Sequence, residues 1–376
     1  MKVIIAPDSF KESLTAKEAA NAIEKGFKEV YPEGTYIKIP MADGGEGTVQ
    51  SLVDATEGKI KTIEVMGPLG TPVEAIYGLL GDGKTAVIEM ASASGLHLVP
   101  NDKRNPLVTT TWGTGELIKA ALNDGVNHII LGIGGSATND GGSGMLQALG
   151  VKLLDQNGEQ IGYGGGQLKY ISTIEMEELD ARIKDVTIEV ACDVDNPLTG
   201  STGASYIYGP QKGADSEMVK ELDANLFHYS EMIKEHLGKE VNNIKGAGAA
   251  GGIGAGLVAF LSGELKRGID IITSVTRLED HVKDASLVIT GEGKIDHQTI
   301  YGKTPIGVSK IAKKYNVPVI CLAGTVTKDS DVVFEHGISA LFSIVPGIMT
   351  LEEAIADAPD LMYRASKNIA TAMKIG

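Results

Sequence analysis

The chain has 376 residues, with 34 basic and 49 acidic side chains and a formal net charge of −15. This length is typical of one or two domains with a large buried core, and the acidic balance argues against nucleic acid as a partner. A small anionic substrate remains compatible with the charge, because it needs only a few local lysines or arginines. Two cysteines, Cys192 and Cys321, are too few for a disulfide framework.

No segment is typical of a signal peptide or a membrane span. The N-terminal apolar run is too short for a signal peptide. The segment 246–263 has no charged residue, but seven of its residues are glycine, which predicts a glycine loop followed by a buried helix. We therefore expect a soluble, cytoplasmic protein, either a monomer or a homodimer.

The first sixty residues alternate between strand and helix patterns. A short apolar run over 2–6 predicts a buried strand, and the capping box Thr15-Ala16-Lys17-Glu18 predicts the start of a helix. A second strand over 36–40 leads into the glycine-rich segment 43–48. This order indicates the beginning of a parallel sheet.

The pattern changes near residue 60. Alternating apolar and polar residues over 60–65, 73–80 and 86–90 predict an antiparallel meander, because glycine and proline separate the runs. Further patterns predict helices over 115–122 and 216–237 and strands over 127–131 and 186–191.

The first pattern returns near residue 285. Strands are predicted over 287–290, 317–322 and 340–345, with a helix over 305–315. Together the two ends supply five parallel strands, which is the flavodoxin-like arrangement with the order 2-1-3-4-5. We therefore predict a discontinuous α/β domain, residues 1–60 and 285–376, interrupted by an inserted mixed α/β domain, residues 61–284.

This topology predicts where a ligand would bind. Ligands of open parallel sheets bind at the carboxyl ends of the strands. The polar loops predicted over 8–11, 43–48 and 290–296 each follow a predicted strand, and in the 2-1-3 order those strands are neighbours. We expect the three segments to meet in an active site in the cleft between the two domains.

Two matches to nucleotide-binding patterns are weak. Residues 78–85 match the P-loop pattern, but a strand follows them and Asp82-Gly83 is typical of a hairpin turn. Residues 132–137 match the dinucleotide pattern G-x-G-x-x-A, yet they lie in the middle of the chain. An anion-binding loop made of backbone N–H groups is the better interpretation of the second match.

Seven segments, taken in order, resemble the bacterial type 1 glycerate kinase family. They are APDSFKESLTA, PMADGGEGT, GIGGSATNDGG, CDVDNPL, GPQKGA, GAGAAGG and TGEGKIDHQTIYGKTP. The resemblance implies ATP-dependent and Mg²⁺-dependent phosphorylation of D-glycerate, with 2-phosphoglycerate as the usual product and 3-phosphoglycerate as the alternative. It also implies a flavodoxin-like domain with a second α/β domain.

Candidate roles follow from what phosphoryl transfer requires. Carboxylates suited to Mg²⁺ are Asp193, Glu292 and Asp43. Asp296 is the first choice for the general base that accepts the hydroxyl proton, and Asp193 is the second.

The remaining candidates position the two substrates and neutralise their charge. Asp8 and Lys11 are further catalytic candidates, and the substrate-binding candidates are Ser9, Phe10, Asp43, Lys294 and Lys303. The predicted nucleotide-binding residues are Gly134, Gly135, Ser136, Asn139, Asp140, Lys212, Gly291 and Gly293.

Three other classes of function remain open at this stage. The protein could phosphorylate a different small hydroxy acid, or it could be a dinucleotide-dependent oxidoreductase that uses the segment 132–137. A non-catalytic sensor of small molecules is the third class, but several acidic segments at one edge of a sheet argue against it.

Overall fold

A computed structural model describes residues 1–375, in which strands and helices alternate along most of the chain. The strands are β1 (Lys2–Pro7), β2 (Thr35–Lys38), β3 (Lys59–Met66), β4 (Pro72–Leu79), β5 (Thr85–Glu89), β6 (His128–Gly132), β7 (Lys152–Leu154), β8 (Thr173–Glu175), β9 (Thr187–Ala191), β10 (Glu264–Lys266), β11 (Leu287–Ile295), β12 (Val319–Val326) and β13 (Ala340–Ser343). The helices are α1 (Ala16–Val30), α2 (Thr48–Thr56), α3 (Ala91–Ser94), α4 (Trp112–Asn123), α5 (Ser143–Ala148), α6 (Ala204–Tyr208), α7 (Ser216–Leu237), α8 (Ala249–Leu261), α9 (Gly268–Val275), α10 (Leu278–Val282), α11 (Thr304–Lys314), α12 (Leu351–Ala356) and α13 (Ala358–Ile375).

The chain divides into two compact units. The first unit contains Met1–Asp43, Gln50–Glu57 and the chain from Ile269 onward, and the second contains Gly44–Val49 and Gly58–Gly268. Residues 269–284, which were predicted to belong to the insertion, lie in the first unit. Their attachment has a physical cause, because Ile269 lies against Gly307 of α11, where an added Cβ would meet its side chain at 2.0 Å.

The first unit is built on a five-stranded parallel sheet. Its strand order is β13-β12-β11-β1-β2, which is the 2-1-3-4-5 order when these five strands are numbered along the chain. The predicted flavodoxin-like α/β arrangement is therefore confirmed. Helices α1 and α13 cover apolar side chains of the sheet, with Phe27 and Met362 buried in the same cluster as Ile5 and Ile289.

Strand β11 is longer than the sequence predicted. We expected a strand over 287–290 followed by a loop over 290–296, but β11 continues to Ile295. The prediction of a loop was wrong because β12 continues beside it, with Glu292 opposite Ala323 and Ile295 opposite Val326. Glycine at position 291 allows the close approach, since an added Cβ would lie 2.2 Å from the Leu322 carbonyl oxygen.

The second unit is built on a six-stranded mixed sheet with the order β10-β9-β6-β5-β4-β3. Strands β3, β4 and β5 form the predicted antiparallel meander, and β5, β6, β9 and β10 are parallel. The P-loop-like segment 78–85 is the hairpin between β4 and β5, as its Asp82-Gly83 turn indicated.

The glycine-rich start of α8 packs tightly within the second unit, and Gly251 and Gly252 interrupt its helical backbone angles. Gly251 and Gly252 have positive φ angles, and an added Cβ at Gly251 would lie 2.0 Å from the Thr138 carbonyl oxygen. Only glycine permits this combination of backbone angle and contact distance. This packing places the segment directly against the loop that follows β6.

Within residues 1–375, no helix combines the length and the apolar character that a bilayer crossing requires. The cytoplasmic location stays a prediction.

Because β11 lies so close to β12 at Gly291, substitutions of two glycines in β11 should have different effects on the stability of the protein. Gly291→Ala should lower the free energy of unfolding by about 1–3 kcal/mol, because the new methyl group meets backbone that cannot move away. Gly293→Ala is the matched control, since its added Cβ meets no atom closer than 3.6 Å. Urea unfolding of both variants measures the difference, and equal midpoints would contradict the account of the β11–β12 contact.

Candidate active site

Acidic residues follow β1 and β2 and lie in the carboxyl-terminal half of β11, and these three strands are adjacent in the first unit. Asp8 follows β1, Asp43 follows β2, and Glu292 lies within β11. The Asp8 N–H donates to the Gly291 carbonyl oxygen at 2.8 Å, which fixes the end of β1 against β11. The three carboxylates are close enough that their mutual repulsion contributes to the raised pKa values of Asp8 and Glu292.

Asp8 is buried, with 8% of its surface exposed. Burial raises the pKa of Asp8 to about 6, and the charge of Asp43 adds to this rise. Thr304 Oγ1 donates to Asp8 Oδ2 at 2.5 Å, and the Ser9 N–H donates to Oδ1 at 2.6 Å. These donors fix the orientation of a carboxylate that can change its protonation state near neutral pH.

Glu292 is equally buried and has a basic neighbour. Burial raises the pKa of Glu292 to about 7, the positive charge of Lys303 opposes the rise, and Asp8 adds to it. Lys303 Nζ lies 3.5 Å from Glu292 Oε1, and Thr299 Oγ1 donates to the same oxygen at 3.2 Å. The first unit therefore holds two buried carboxylates with raised pKa values beside one lysine.

Asp296 has different surroundings from Asp8 and Glu292. Its Oδ2 is 3.0 Å from Lys294 Nζ, and its Oδ1 accepts from the Gln298 N–H at 2.9 Å, which caps the turn His297–Tyr301. The hydrogen bond with Lys294 lowers the pKa of Asp296 below its usual range. This carboxylate is therefore ionised, paired and engaged in capping a turn.

The other predicted residues of the first unit occupy varied positions. Phe10 is 2% exposed and packs in the core, so only its backbone remains available to a ligand. Lys11 is exposed. Gly293 lies beside its backbone, since an added Cβ at Gly293 would be 3.6 Å from the Lys11 backbone nitrogen. Ser9 is half-buried, and its hydroxyl also contacts Asp8.

The donor set of the first unit fits a hard cation. Within the described chain, no group of three or more His, Cys, Asp or Glu side chains is arranged to hold a metal ion. Mg²⁺ needs fewer protein ligands, because it binds through one or two carboxylates and completes its shell with water and phosphate oxygens. The repelling carboxylates Asp43 and Glu292 provide such ligands, whereas Asp193 belongs to the second unit.

In the second unit, the loop after β6 exposes only part of its predicted nucleotide-binding set. Gly134 and Gly135 are exposed, and Gly135 has a positive φ angle. Ser136, Asn139 and Asp140 are buried instead. The exposed backbone is therefore confined to the loop tip.

Buried polar contacts support that loop from beneath. Asn139 donates to Ser205 Oγ at 3.0 Å. Asp140 Oδ2 accepts from the Thr111 N–H and hydroxyl at 2.9 and 2.8 Å. Burial raises the pKa of Asp140 although these donors oppose the rise.

Lys212, at the end of the turn Pro210–Lys212, is a charged side chain buried against this loop. It is 1% exposed, and its Nζ donates to Ser136 Oγ at 2.7 Å and to the Thr138 carbonyl oxygen at 2.6 Å. Burial lowers the pKa of Lys212 to about 7, and the Asp140 carboxylate opposes this change. In this structure the lysine holds the loop in place.

Asp193 follows β9 at the carboxyl end of the second sheet. Its side chain is exposed, and its Oδ1 accepts from the Gly268 N–H at 3.2 Å. Gly44 lies nearby in the same unit, because an added Cβ there would be 3.7 Å from Asp193 Oδ2. Asp195 pairs with Lys245 on the surface at 3.3 Å.

Sequence reasoning missed Thr299 and Thr304, which bond to Glu292 and Asp8. The signal was available in part, because both threonines lie within the segment TGEGKIDHQTIYGKTP. Threonine is common at the N-terminus of helices, so its position there does not by itself indicate contact with a catalytic carboxylate. Only the three-dimensional contact shows that Thr304 Oγ1 points at Asp8.

The buried amine of Lys212 predicts a specific pH dependence of stability. Because the pKa falls from 10.5 to about 7 on folding, the unfolded chain binds more protons between these pH values. The contribution of Lys212 to the free energy of unfolding should rise with pH across this window, by up to about 1.4 kcal/mol per pH unit.

Comparing wild type with Lys212→Met by urea unfolding, from about pH 6 to about pH 9, isolates this contribution. Lys220→Met is the control, since Lys220 is an exposed lysine of α7. A wild-type minus Lys212→Met difference that does not change with pH would contradict a buried, neutralisable amine.

Comparison with known proteins identifies the family. A sequence model described as the glycerate kinase family matches residues 3–374. A glycerate kinase of Bacillus subtilis (strain 168) is 60% identical over 375 residues, which cover 100% of this chain and 98% of the relative. A glycerate 2-kinase of Escherichia coli (strain K12) is 58% identical over 376 residues, covering 100% and 99% of the two chains.

The solved structures agree with this result. A crystal structure of a glycerate kinase 2 from Salmonella typhimurium LT2 matches with a TM-score of 0.93 and 54% identity, and the match covers 100% of this chain and 99% of that chain. Family and fold therefore agree over the whole length. The chain belongs to the glycerate kinase family, and it is a kinase.

Proposed function

We propose that the protein transfers the γ-phosphoryl group of ATP to a hydroxyl of D-glycerate, with Mg²⁺ as cofactor, giving phosphoglycerate and ADP. The observation that carries the proposal is the group of acidic side chains Asp8, Asp43 and Glu292, with Lys303 beside it, at the carboxyl ends of β1, β2 and β11. Family membership supports glycerate as the acceptor. The name of the Escherichia coli relative, glycerate 2-kinase, favours the 2-hydroxyl over the 3-hydroxyl.

Phosphoryl transfer depends mainly on positioning and on charge neutralisation. Asp43 and Glu292 would hold Mg²⁺, which supplies positive charge to the transferring phosphoryl group when it is bound. A metal-binding role for Asp193, which lies in the second unit, stays a prediction. Lys303 is 34% exposed on its side chain, and it can turn from Glu292 to an anionic ligand. Lys11 and Lys294, both exposed, would neutralise the glycerate carboxylate or the phosphate oxygens.

We assign proton acceptance to Asp8. A general base is most effective when its pKa lies near the working pH. Asp8 meets this condition because burial raises its pKa to about 6 and hydrogen bonds hold it in one orientation. Asp296, the first choice from sequence, has a lowered pKa and is engaged with Lys294 and Gln298, so we assign it to positioning Lys294.

The nucleotide phosphates would contact the exposed glycine backbone. Gly134 and Gly135 offer accessible N–H groups at the tip of the loop after β6. Ser136, Asn139, Asp140 and Lys212 would support that tip from within. In the first unit, Gly293 keeps the backbone of β11 free of a side chain beside Lys11, where Ser9 and the Phe10 backbone would contact glycerate, whereas Gly291 lies against β12.

The dinucleotide alternative has less support. That motif requires its glycine turn to lead directly into the helix of a βαβ unit, with pyrophosphate at the helix N-terminus. Here ten residues separate the end of β6 at Gly132 from α5, which contains only six residues. A kinase acting on another small hydroxy acid is the better second candidate, because the acidic group with its lysine would serve either acceptor.

Phosphorus-31 NMR of the purified protein with ATP, Mg²⁺ and D-glycerate tests the proposal. The expected result is the appearance of ADP together with the resonance of 2-phosphoglycerate. A 3-phosphoglycerate resonance would reassign the hydroxyl, and turnover with other hydroxy acids alone would establish the second candidate. If no ADP forms with any of the hydroxy acids, the proposal is overturned.

A pair of isosteric variants tests the assignment of the base. Asp8→Asn should lower kcat by about 10²–10⁴-fold, because an amide cannot accept the hydroxyl proton. Asp296→Asn should lower kcat by less than about tenfold, because the amide oxygen still caps the following turn. Steady-state kinetics with both substrates saturating measures the two effects, and the reverse order would return the role of base to Asp296.

A further inference from the structure

The glycine-rich segment 44–47, which leads into α2, is organised by a side chain far away in sequence. Glu89 is the last residue of β5, at the same end of the second sheet as Gly132 and Ala191. The Val49 N–H donates to Glu89 Oε1 at 2.8 Å, and the neighbouring backbone N–H groups of Gly47 and Thr48 lower the pKa of the same carboxyl. Glu89 thus faces three successive backbone N–H groups.

These three groups form the type of site that ordinarily attracts an anion. The first N–H groups of an α-helix have no partner within the helix, and the helix dipole places partial positive charge there. Gly44 and Gly47 have positive φ angles of 94° and 88°, so the preceding loop curls and its amides converge. In α2 the first turn contains no acidic residue of its own.

The surroundings leave little freedom for this loop. Gly132 lies beneath it, because an added Cβ there would be 2.9 Å from the Gly44 carbonyl oxygen and 3.9 Å from Glu89 Cγ. Thr48 Oγ1 closes the turn by donating to the Gly45 carbonyl oxygen at 2.7 Å. The loop therefore has a backbone contact beneath it and a carboxylate at its amides.

We propose that Glu89 is a positioning residue whose carboxylate fills the anion nest at Gly47, Thr48 and Val49. It fixes the segment 44–47, which carries Glu46 and directly follows Asp43 in the chain, and makes this nest unavailable to a nucleotide phosphate. A glycine-rich turn before a helix is often interpreted as a phosphate loop, but here the protein supplies the anion itself. The inference rests on the proposed function where it concerns catalysis, and on the hydrogen bonds alone where it concerns the nest.

Removal of the carboxylate should have a chemical signature. Glu89→Ala should lower kcat/KM for glycerate by about 10–100-fold, since a displacement of about 1 Å in a positioning element can cost that much. Added acetate should restore activity several-fold by occupying the vacated nest. Glu116→Ala is the matched control, because Glu116 also accepts one backbone N–H, from Met66 at 2.7 Å, elsewhere in the second unit.

Hydrogen–deuterium exchange provides a measurement that needs no activity. In Glu89→Gln, a peptide that covers residues 44–52 should exchange at least several-fold faster than in wild type, because the amide side chain satisfies fewer of the three N–H groups. The same peptide should be unchanged in Glu116→Gln. The exchange measurement on Glu89→Gln can be made even if Glu89→Ala fails to fold.

The outcomes separate the two proposals. Unchanged exchange over 44–52 in Glu89→Gln would overturn the filled nest, whether or not the wild type phosphorylates glycerate. Faster exchange with unchanged kcat/KM, or a loss of activity that acetate rescues equally in Glu116→Ala, would overturn the positioning role. Wild type without kinase activity would refute the proposed function and leave the exchange result to decide the nest.

Discussion

The parallel pairing of β11 with β1 on one side and β12 on the other determines where the acidic side chains of the first unit lie. The register opposes Ala6 to Thr290 and Pro7 to Gly291, and the Thr290 hydroxyl donates to the Ala6 carbonyl oxygen at 2.8 Å. Strand β1 ends there, while β11 continues with β12 alone. Glu292 therefore lies just beyond the end of β1, beside Asp8, on a rigid strand rather than on a loop.

Burial of like charges makes this arrangement costly without a ligand. Carboxylates removed from water and placed near one another favour their protonated forms, which raises the pKa values of Asp8 and Glu292. Cations relieve that cost, and Lys303 does so in part. In the second unit the protein satisfies its own backbone and loops instead. Lys212 donates to the loop after β6, Asp140 of that loop accepts from Thr111, and Glu89 accepts from the first turn of α2.

The sequence predicted the sheet order because each buried strand and each capped helix of the first unit carries its own local signal. The long helix Ser216–Leu237 matches its predicted limits because Gly238, in the left-handed conformation, ends it. The loop predicted over 290–296 does not form, because this segment pairs with β12 as part of β11. That pairing outweighs the two glycines, which locally favour a turn. Thr304 is 296 residues from Asp8 in the sequence, and Glu89 is 40 residues from Val49. A local sequence pattern cannot predict contacts between residues so far apart in the chain.

In the proposed function, the acidic group of the first unit binds the reacting atoms. A crystal structure with Mg²⁺, a non-hydrolysable ATP analogue and D-glycerate would show whether it does. We expect a divalent cation bound to a carboxylate oxygen of Asp43 or Glu292, with a glycerate hydroxyl within hydrogen-bond distance of Asp8. Glycerate and the terminal phosphate bound away from Asp8, Asp43 and Glu292 would contradict it.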